Sequence, residues 1–404
     1  MLGVDDGSHP LRRSTRRTIA RVAGWAEVAS PAAQPHVGLM LMPVETMRHA
    51  LLPLLEEELV EALSWSFEAG WGPAGLPPWA AGLLDHFAAS GRLTAHGVLY
   101  SPLSVRADRR DDVWLARVRA ECATRSYAHV SEHLGFMSAG EFLHGAPLPV
   151  PRGRAAIRTA RTRLDRLAEA TSLPVGLENL ALAFSRDDAR VHGEFVAELT
   201  EGTDRFVLLD LHNLYCQAVN FDIAPDALLA SYPLERVREL HVSGGRIAHP
   251  ACDPRPFRRD THDAAVPPEV LDLVPLALAH CPNLQFVMLE RLGGTIVTAA
   301  DIATVQSDFR ALVAAVATAR PVPALPSIER AGPPLDDDDA TLEAYESALL
   351  STLDEEASPD DVRARLLADP RLSPYTAFLE SAELRGLETA KELLARWGVR
   401  DDRG

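Results

Sequence analysis

Eight short apolar runs, each followed by a helix-like stretch, are the feature that most restricts the fold of this sequence. The predicted strands are 36–42, 62–67, 93–100, 126–134, 173–179, 205–211, 236–243 and 284–291. Amphipathic stretches with helical spacing, such as 158–171 and 270–281, lie between them. This alternation predicts a parallel sheet whose strands are joined by crossover helices. Eight such units within roughly 250 residues are typical of a (β/α)8 barrel of the TIM type.

A doubly wound open sheet is the alternative fold, because it shows the same alternation of strands and helices. The dinucleotide-binding form of that fold carries Gly-x-Gly-x-x-Gly after its first strand. No such motif follows 36–42, where the chain continues as "PVETMRHALL". The sequence therefore favours the barrel over the open sheet.

Composition divides the chain into four parts. Residues 1–35 are rich in Arg with weak periodicity and are expected to form a flexible arm, and residues 36–320 form the barrel. Residues 321–340 are rich in Pro and Asp, as linkers often are. Residues 341–404 show helical spacing of apolar residues and are predicted to form a small helical module.

The charge and the scarcity of some residue types exclude several classes of function. A net charge of −17 argues against binding to nucleic acid or to an anionic membrane surface. Lys391 is the single lysine, so a phosphate-binding Gly-Lys-Ser/Thr loop and a Schiff-base lysine in the barrel are both excluded. The four cysteines form no Cys-x-x-Cys pair, and no apolar run is long enough for a signal peptide or a membrane span. These features predict a cytoplasmic protein.

Polar side chains occur where predicted strands three to eight end. They are His96, His133, Glu178, Asp210, Asn213, His241, Asp260, His262 and Glu290. The carboxyl ends of barrel strands meet at one face, so these side chains are expected to converge there. Imidazoles and carboxylates without a thiolate suit iron, manganese or zinc, and nine donors exceed the need of one ion. The sequence therefore predicts a site for two or three metal ions.

Each of these positions by itself also has an ordinary explanation. A histidine on a strand is more often a core or surface residue, Asp210 suits a helix N-cap, and Glu290 precedes a potential partner in Arg291. The metal hypothesis depends on the whole series of strand ends. His212 alternates with Asp210 and is expected to point away from the site. Four further residues are candidates for groups that orient the metal ligands, namely His129, Asn179, Asn220 and Asp263.

Six segments at these strand ends together resemble those of a known family. They are "HVSEHLGF", "GLENLALAF", "DLHNLYCQAVNF", "RELHVSGG", "RRDTHDAAVP" and "MLERLGG". Their ordered set is similar to that of the multinuclear non-heme iron-dependent oxidative enzymes. This is the domain of unknown function 692 family, which includes the methanobactin-biosynthesis oxidase. The resemblance extends over about residues 36–310.

The resemblance implies a xylose-isomerase-like barrel that binds two or three iron ions, as Fe(II) or Fe(III), and uses O2 as co-substrate. It also implies that the nine strand-end residues are the iron ligands. Members of the family modify a residue, often a cysteine, in a ribosomally made precursor peptide, usually together with a separate peptide-binding partner protein. We hypothesise that residues 341–404, which lie outside the resemblance, take the place of that partner.

Two positions depart from the pattern of the family. Val44, followed by Glu45, stands where the family often has a histidine after the first strand, and Gly245 stands where many relatives have a second histidine. The iron count is therefore left open by the sequence, as are the peptide substrate and the oligomeric state. Two alternatives also remain: a zinc- or manganese-dependent isomerase or hydrolase on the same barrel, and a degenerate, non-catalytic metal- or peptide-binding protein.

Overall fold

Eight parallel strands close into a barrel in the computed structural model of the protein. The structure describes residues 34–400 apart from 74, 107–108, 141, 145, 203 and 319–321, so the predicted arm at 1–35 lies almost wholly outside the described residues. The barrel strands are β1 (His36–Leu41), β2 (Ala62–Trp65), β3 (Leu93–Gly97), β4 (Val130–His133), β5 (Val175–Glu178), β6 (Phe206–Asp210), β7 (Val237–Val242) and β8 (Phe286–Leu289). Each strand pairs with the next, and β8 pairs with β1. The predicted (β/α)8 barrel is confirmed, and the open-sheet alternative is wrong.

Burial on both faces explains why the strands read as nearly continuous apolar runs. Every residue of β2, β5, β6 and β8 is buried. One face of each strand packs against the surrounding helices and the other fills the barrel interior, so neither face favours polar side chains. The exceptions, such as Glu239 and His241 on β7, point into the interior and contact each other there.

Nine helices surround the barrel in the described part of the chain. They are α1 (Glu45–Glu56), α2 (Pro78–Ala89), α3 (Arg109–Thr124), α4 (Arg154–Thr171), α5 (Arg186–Thr200), α6 (Leu211–Phe221), α7 (Pro225–Leu229), α8 (Pro268–His280) and α9 (Ala299–Ala317). Local sequence fixes several of their starts. Ser185 caps α5 by accepting a hydrogen bond from Asp188 N, and Thr298 and Asp301 form a capping box on α9. No helix in the described residues has both the length and the apolar character needed to cross a membrane.

Four more helices follow the barrel and pack against it. They are α10 (Asp339–Asp354), α11 (Pro359–Ala368), α12 (Thr376–Ser381) and α13 (Leu384–Trp397). The Tyr345 hydroxyl donates to Pro149 O at 3.0 Å, and the Glu388 carboxylate accepts from Ala251 N and Cys252 N at 2.8 and 3.1 Å. One apolar core runs without a break from the barrel into these helices. The expected helical C-terminal part is present.

Glu346 joins α10 to the barrel and gives the fold a pH dependence. Its carboxylate is fully buried and accepts from Val105 N at 3.1 and 3.2 Å. Burial raises the pKa of Glu346 well above its usual range. The folded protein therefore binds a proton at the Glu346 carboxyl more tightly than the unfolded chain does. The stabilisation that this proton provides is complete below about pH 4 and is lost as the pH rises through the folded-state pKa of Glu346.

We therefore expect Glu346→Gln, which keeps an acceptor for Val105 N, to gain stability relative to the wild type as the pH rises. The unfolding free energy of the variant minus that of the wild type should increase by about 1–3 kcal/mol between pH 4.5 and pH 8. The reason is that the variant has no carboxyl to ionise at the buried position. Urea unfolding at both pH values measures it. Glu356→Gln, at an exposed position of the same C-terminal part, is the control. A difference that does not change with pH would contradict this account.

Candidate metal centre

The strand ends bring seven of the nine predicted ligand residues to one end of the barrel. Strand register places Asp210 beside His241, and His133 beside Glu178. His96 lies on β3, Glu290 directly follows β8, and Asn213 lies in the first turn of α6. This is the carboxyl end of the strands, where the sequence placed the site.

Six of these side chains form two groups of donor atoms that share Glu178. The first group is His96, His133 and Glu178, and the second is Glu178, Asp210, His241 and Glu290. Within each group, one donor atom from every residue lies within 4.8 Å of the others. His96 Nε2 lies 3.1 Å and His133 Nε2 3.4 Å from Glu178 Oε2, and His241 Nδ1 lies 3.0 Å from Glu290 Oε2. Two neighbouring positions for a cation, bridged by one carboxylate, fit this arrangement.

Each of three imidazoles has one nitrogen held by the protein and the other directed at these groups. His96 Nδ1 lies 2.9 Å from Ser131 Oγ, and His133 Nδ1 lies 3.2 Å from Gly97 O. His241 Nε2 lies 2.9 Å from Glu239 Oε1, which leaves Nδ1 for the centre. Such outer contacts fix the tautomer and the ring orientation of metal-binding histidines. The three rings are therefore already held with one nitrogen facing the two donor groups.

Buried oxygen atoms without hydrogen-bond partners provide a direct test of whether a cation fits here. Glu178 Oε2, Asp210 Oδ2 and Asn213 Oδ1 are buried and accept no hydrogen bond in the described structure. Glu178 Oε2 forms no hydrogen bond to His96 Nε2 or His133 Nε2, although they lie 3.1 and 3.4 Å away. Unpaired buried acceptors are costly, and a metal ion satisfies several at once. The donor set is therefore suited to a cation.

The protonation of the centre supports the same interpretation. Burial, together with the neighbouring imidazoles, lowers the pKa of His96 and of His133 to about 4, so both rings are neutral at pH 7 and each can offer a lone pair. Burial raises the pKa of Glu178 to about 7 and that of Asp210 well above its usual range. Carboxylates packed this closely hold protons unless a cation compensates their charge.

Asp260 and His262 lie beside these groups and reach them through Glu290. His262 Nδ1 is 3.3 Å from Glu290 Oε1, and His262 Nε2 is 2.5 Å from Asp260 Oδ2. Burial alone would raise the pKa of Asp260, but His262 and His212 lower it well below its usual range. His262 has a left-handed backbone, with φ of 50°, a conformation that histidine adopts more readily than most side chains. Both nitrogens of His262 contact carboxylates in this arrangement.

Two buried residues of the site were not identified from the sequence. Glu239 lies deeper in the barrel, where Oε2 is 2.5 Å from His129 Nε2 while Oε1 contacts His241. His212 does not point away: its Nδ1 lies 3.0 Å from Asp260 Oδ1, because the chain is already helical at Leu211 and strand alternation no longer applies. An acidic residue two positions before a strand histidine was the available signal for Glu239.

The four candidates for orienting groups have different roles. His129 contacts Glu239 and acts on His241 only through it. Asn179 fixes the backbone of Asp210: its Oδ1 accepts from Asp210 N at 2.7 Å, and its Nδ2 donates to Asp210 O at 3.0 Å. Asn220 instead holds the backbone of Arg258, and Asp263 pairs with Arg246, so neither contacts an imidazole.

The first strand contributes no donor to the centre. Val44 is 37% exposed. Glu45 next to it pairs with Arg48 and His49 on the outside of α1. Where the family often has a histidine, this part of the chain therefore offers no side chain to the two donor groups.

Comparisons with known proteins identify the family of the chain. Residues 77–304, over half of the chain, match the family described as RiPP precursor modification enzyme MbnB/TglH/ChrH. This stretch includes all nine predicted ligand residues. A UPF0276 protein of Streptomyces avermitilis is 31% identical over 218 residues, which are 50% of this chain and 42% of that protein. A UPF0276 protein of Chromobacterium violaceum is 34% identical over 179 residues, 44% of this chain and 62% of that protein. The chain thus spans less than two thirds of the length of either relative.

Similar solved structures share the barrel. L-ribulose 3-epimerase matches with a TM-score of 0.45 at 13% identity, covering 70% of this chain and 95% of that one. A xylose isomerase-like TIM barrel protein from Mycobacterium smegmatis in complex with magnesium matches with a TM-score of 0.41 at 14% identity. The match covers 72% of this chain and 100% of that one. At such identities the likeness concerns the fold alone.

Proposed function

The chain belongs to the MbnB/TglH/ChrH family of RiPP precursor modification enzymes, and on this premise we propose that it oxidatively modifies a residue of a ribosomally made precursor peptide. We propose that the reaction uses O2 and two or three iron ions, and that the modified residue is a cysteine. The observation that supports this most strongly is the pair of donor groups joined by Glu178. A nitrogen- and oxygen-rich donor set without thiolate suits non-heme iron.

The proposed ligands divide between the two groups. His96, His133 and Glu178 would hold one ion, and Glu178, Asp210, His241 and Glu290 a second. Asn213, Asp260 and His262 line the adjacent cavity and would complete the shell or hold a third. Bound iron would supply the activation of O2 and the oxidation of the substrate.

The remaining work falls to residues of the chain. Glu239 and Ser131 keep the rings of His241 and His96 in one orientation, so that no rearrangement is needed when the substrate binds. The apolar side chains of Leu180, Leu182 and Leu292 line the cavity above the centre and limit access of water to it. The cavity of about 420 Å³ is large enough for a peptide side chain and its neighbours.

Anaerobic purification followed by elemental analysis and co-expression tests the proposal. We expect at least two iron ions per chain. We also expect O2 uptake that depends on a precursor peptide encoded near this gene, and a changed mass of that peptide after co-expression. Co-expression with Glu178→Gln is the control, since it should leave the peptide mass unchanged. Stoichiometric zinc, no O2 uptake and an unchanged peptide would overturn the proposal in favour of a hydrolase, an isomerase or a binding protein.

A further inference from the structure

The cavity above the candidate centre has two walls from different parts of the chain. Its floor includes His133, Asp260 and Glu290 of the centre. Barrel loops provide one wall. The last two turns of α13, through Leu393, Arg396 and Trp397, provide the other. Any substrate that reaches the centre through this cavity therefore passes along α13, which lies outside residues 77–304 matched by the family.

Helix α13 is fastened to the barrel and is therefore a fixed wall. The Arg385 guanidinium donates to Asn220 O and to Pro256 O, and Glu392 pairs with Arg259, which itself lines the cavity. These contacts, with those of Glu388, lie on the first three turns of the helix. Fixed walls discriminate between substrates because they do not rearrange to fit each one.

Two large apolar side chains are exposed on opposite walls of this cavity. Leu99, on the barrel side, is 38% exposed and Trp397, on α13, is 44% exposed. Exposed aromatic and aliphatic side chains beside a pocket are typical anchors for an apolar group of a ligand. Arg258, Arg259 and Arg396 line the cavity together with Asp260 and Glu290, so its charged groups have both signs and favour neither a positive nor a negative ligand.

We propose that Trp397 and Leu99 form a subsite for a large apolar side chain of the precursor peptide, next to the residue that reaches the centre. This inference rests on the proposed function for the identity of the ligand as a peptide. It makes α13 a determinant of substrate specificity that the chain itself supplies. The preferred peptide segment is apolar and uncharged beside the modified residue.

Binding of four capped peptides, acetyl-Gly-Xaa-Cys-Gly-amide with Xaa as Leu, Phe, Asp or Lys, tests the subsite. Calorimetric titration uses the full chain loaded with iron under anaerobic conditions, so that no turnover occurs. We expect the Leu and Phe peptides to bind about tenfold more tightly than the Asp and Lys peptides, because burial of one apolar side chain strengthens binding by about this factor. In Trp397→Ala and in Leu99→Ala, both at exposed positions, the preference should fall below about threefold.

Leu367→Ala is the matched control, because Leu367 is 37% exposed on α11 and does not line the cavity. It should keep the full preference. Equal binding of the four peptides by the wild type, or a preference unchanged in both variants, overturns the subsite. Admission of O2 then separates the two proposals. An apolar preference without any change of peptide mass supports the subsite and rejects the oxidation, whereas equal binding with equal modification of all four peptides rejects the subsite alone.

Discussion

Glu178→Gln should leave a folded barrel that holds at most one metal ion and modifies its peptide about a hundredfold or more slowly. Glu178 belongs to both donor groups, so one substitution weakens both positions. Glutamine has nearly the same size but no charge, and neutral amide oxygens bind iron weakly. The metal-free variant should be at least as stable as the metal-free wild type, because it no longer buries an ionisable carboxyl.

Elemental analysis, peptide mass and thermal unfolding with and without metal measure these effects. Asp308→Asn is the control: Asp308 is a partly buried carboxyl that accepts from Val266 N at 3.1 Å and belongs to neither donor group. It should keep full metal content. The metal content of Glu239→Gln should lie between those of Glu178→Gln and Asp308→Asn. Its affinity for metal should be 10- to 100-fold weaker than that of the wild type, as is usual when the group that orients a ligand is lost. Full metal content in Glu178→Gln would exclude the bridging role.

Gly245→Ala should displace the loop that carries Asp260 and His262, and should lower both stability and metal content. A methyl carbon at position 245 would lie 2.1 Å from Arg259 O, 2.8 Å from His212 Cε1 and 2.9 Å from Thr261 N. Two of these atoms belong to backbone, so the loop must move. Overpacking of this kind costs about 1–3 kcal/mol of unfolding free energy. The loop fills the space that a larger side chain at this position would need.

Urea unfolding and elemental analysis of Gly245→Ala test this expectation. Gly294→Ala is the matched control, since an added carbon at Gly294 meets no atom within 4 Å and the residue also lies near the site. The control should differ from the wild type by less than about 0.5 kcal/mol. If both variants behave alike, close packing at Gly245 does not position the loop.

The barrel and the convergence of the strand-end side chains were predictable because both follow from local patterns. Parallel strands buried on both faces produce apolar runs, and their carboxyl ends meet at one face. The pairing of His129 with Glu239, 110 positions apart in sequence, was not predictable, because no periodicity connects the two. His212 was misjudged because α6 begins one residue after β6 ends, and the direction of its side chain depends on that boundary.

The C-terminal helices were also predictable as helices but not as part of the site. Amphipathic spacing shows that a helix such as α13 has an apolar face, but not which surface that face covers. Only the fold shows that Leu393 and Trp397 reach the cavity of the barrel. The domain boundaries drawn at 320 and 340 remain a prediction from composition.

The continuous apolar core has a consequence for how such a protein can change over time. Helices that share their interior with a barrel cannot be lost or exchanged without exposing side chains such as Phe184, which is buried and packs against Phe378 of α12. Exchange of a whole C-terminal segment would open this core, whereas a single substitution on the cavity side of α13 would leave it closed. We therefore expect the barrel and the C-terminal helices that pack on it to vary together.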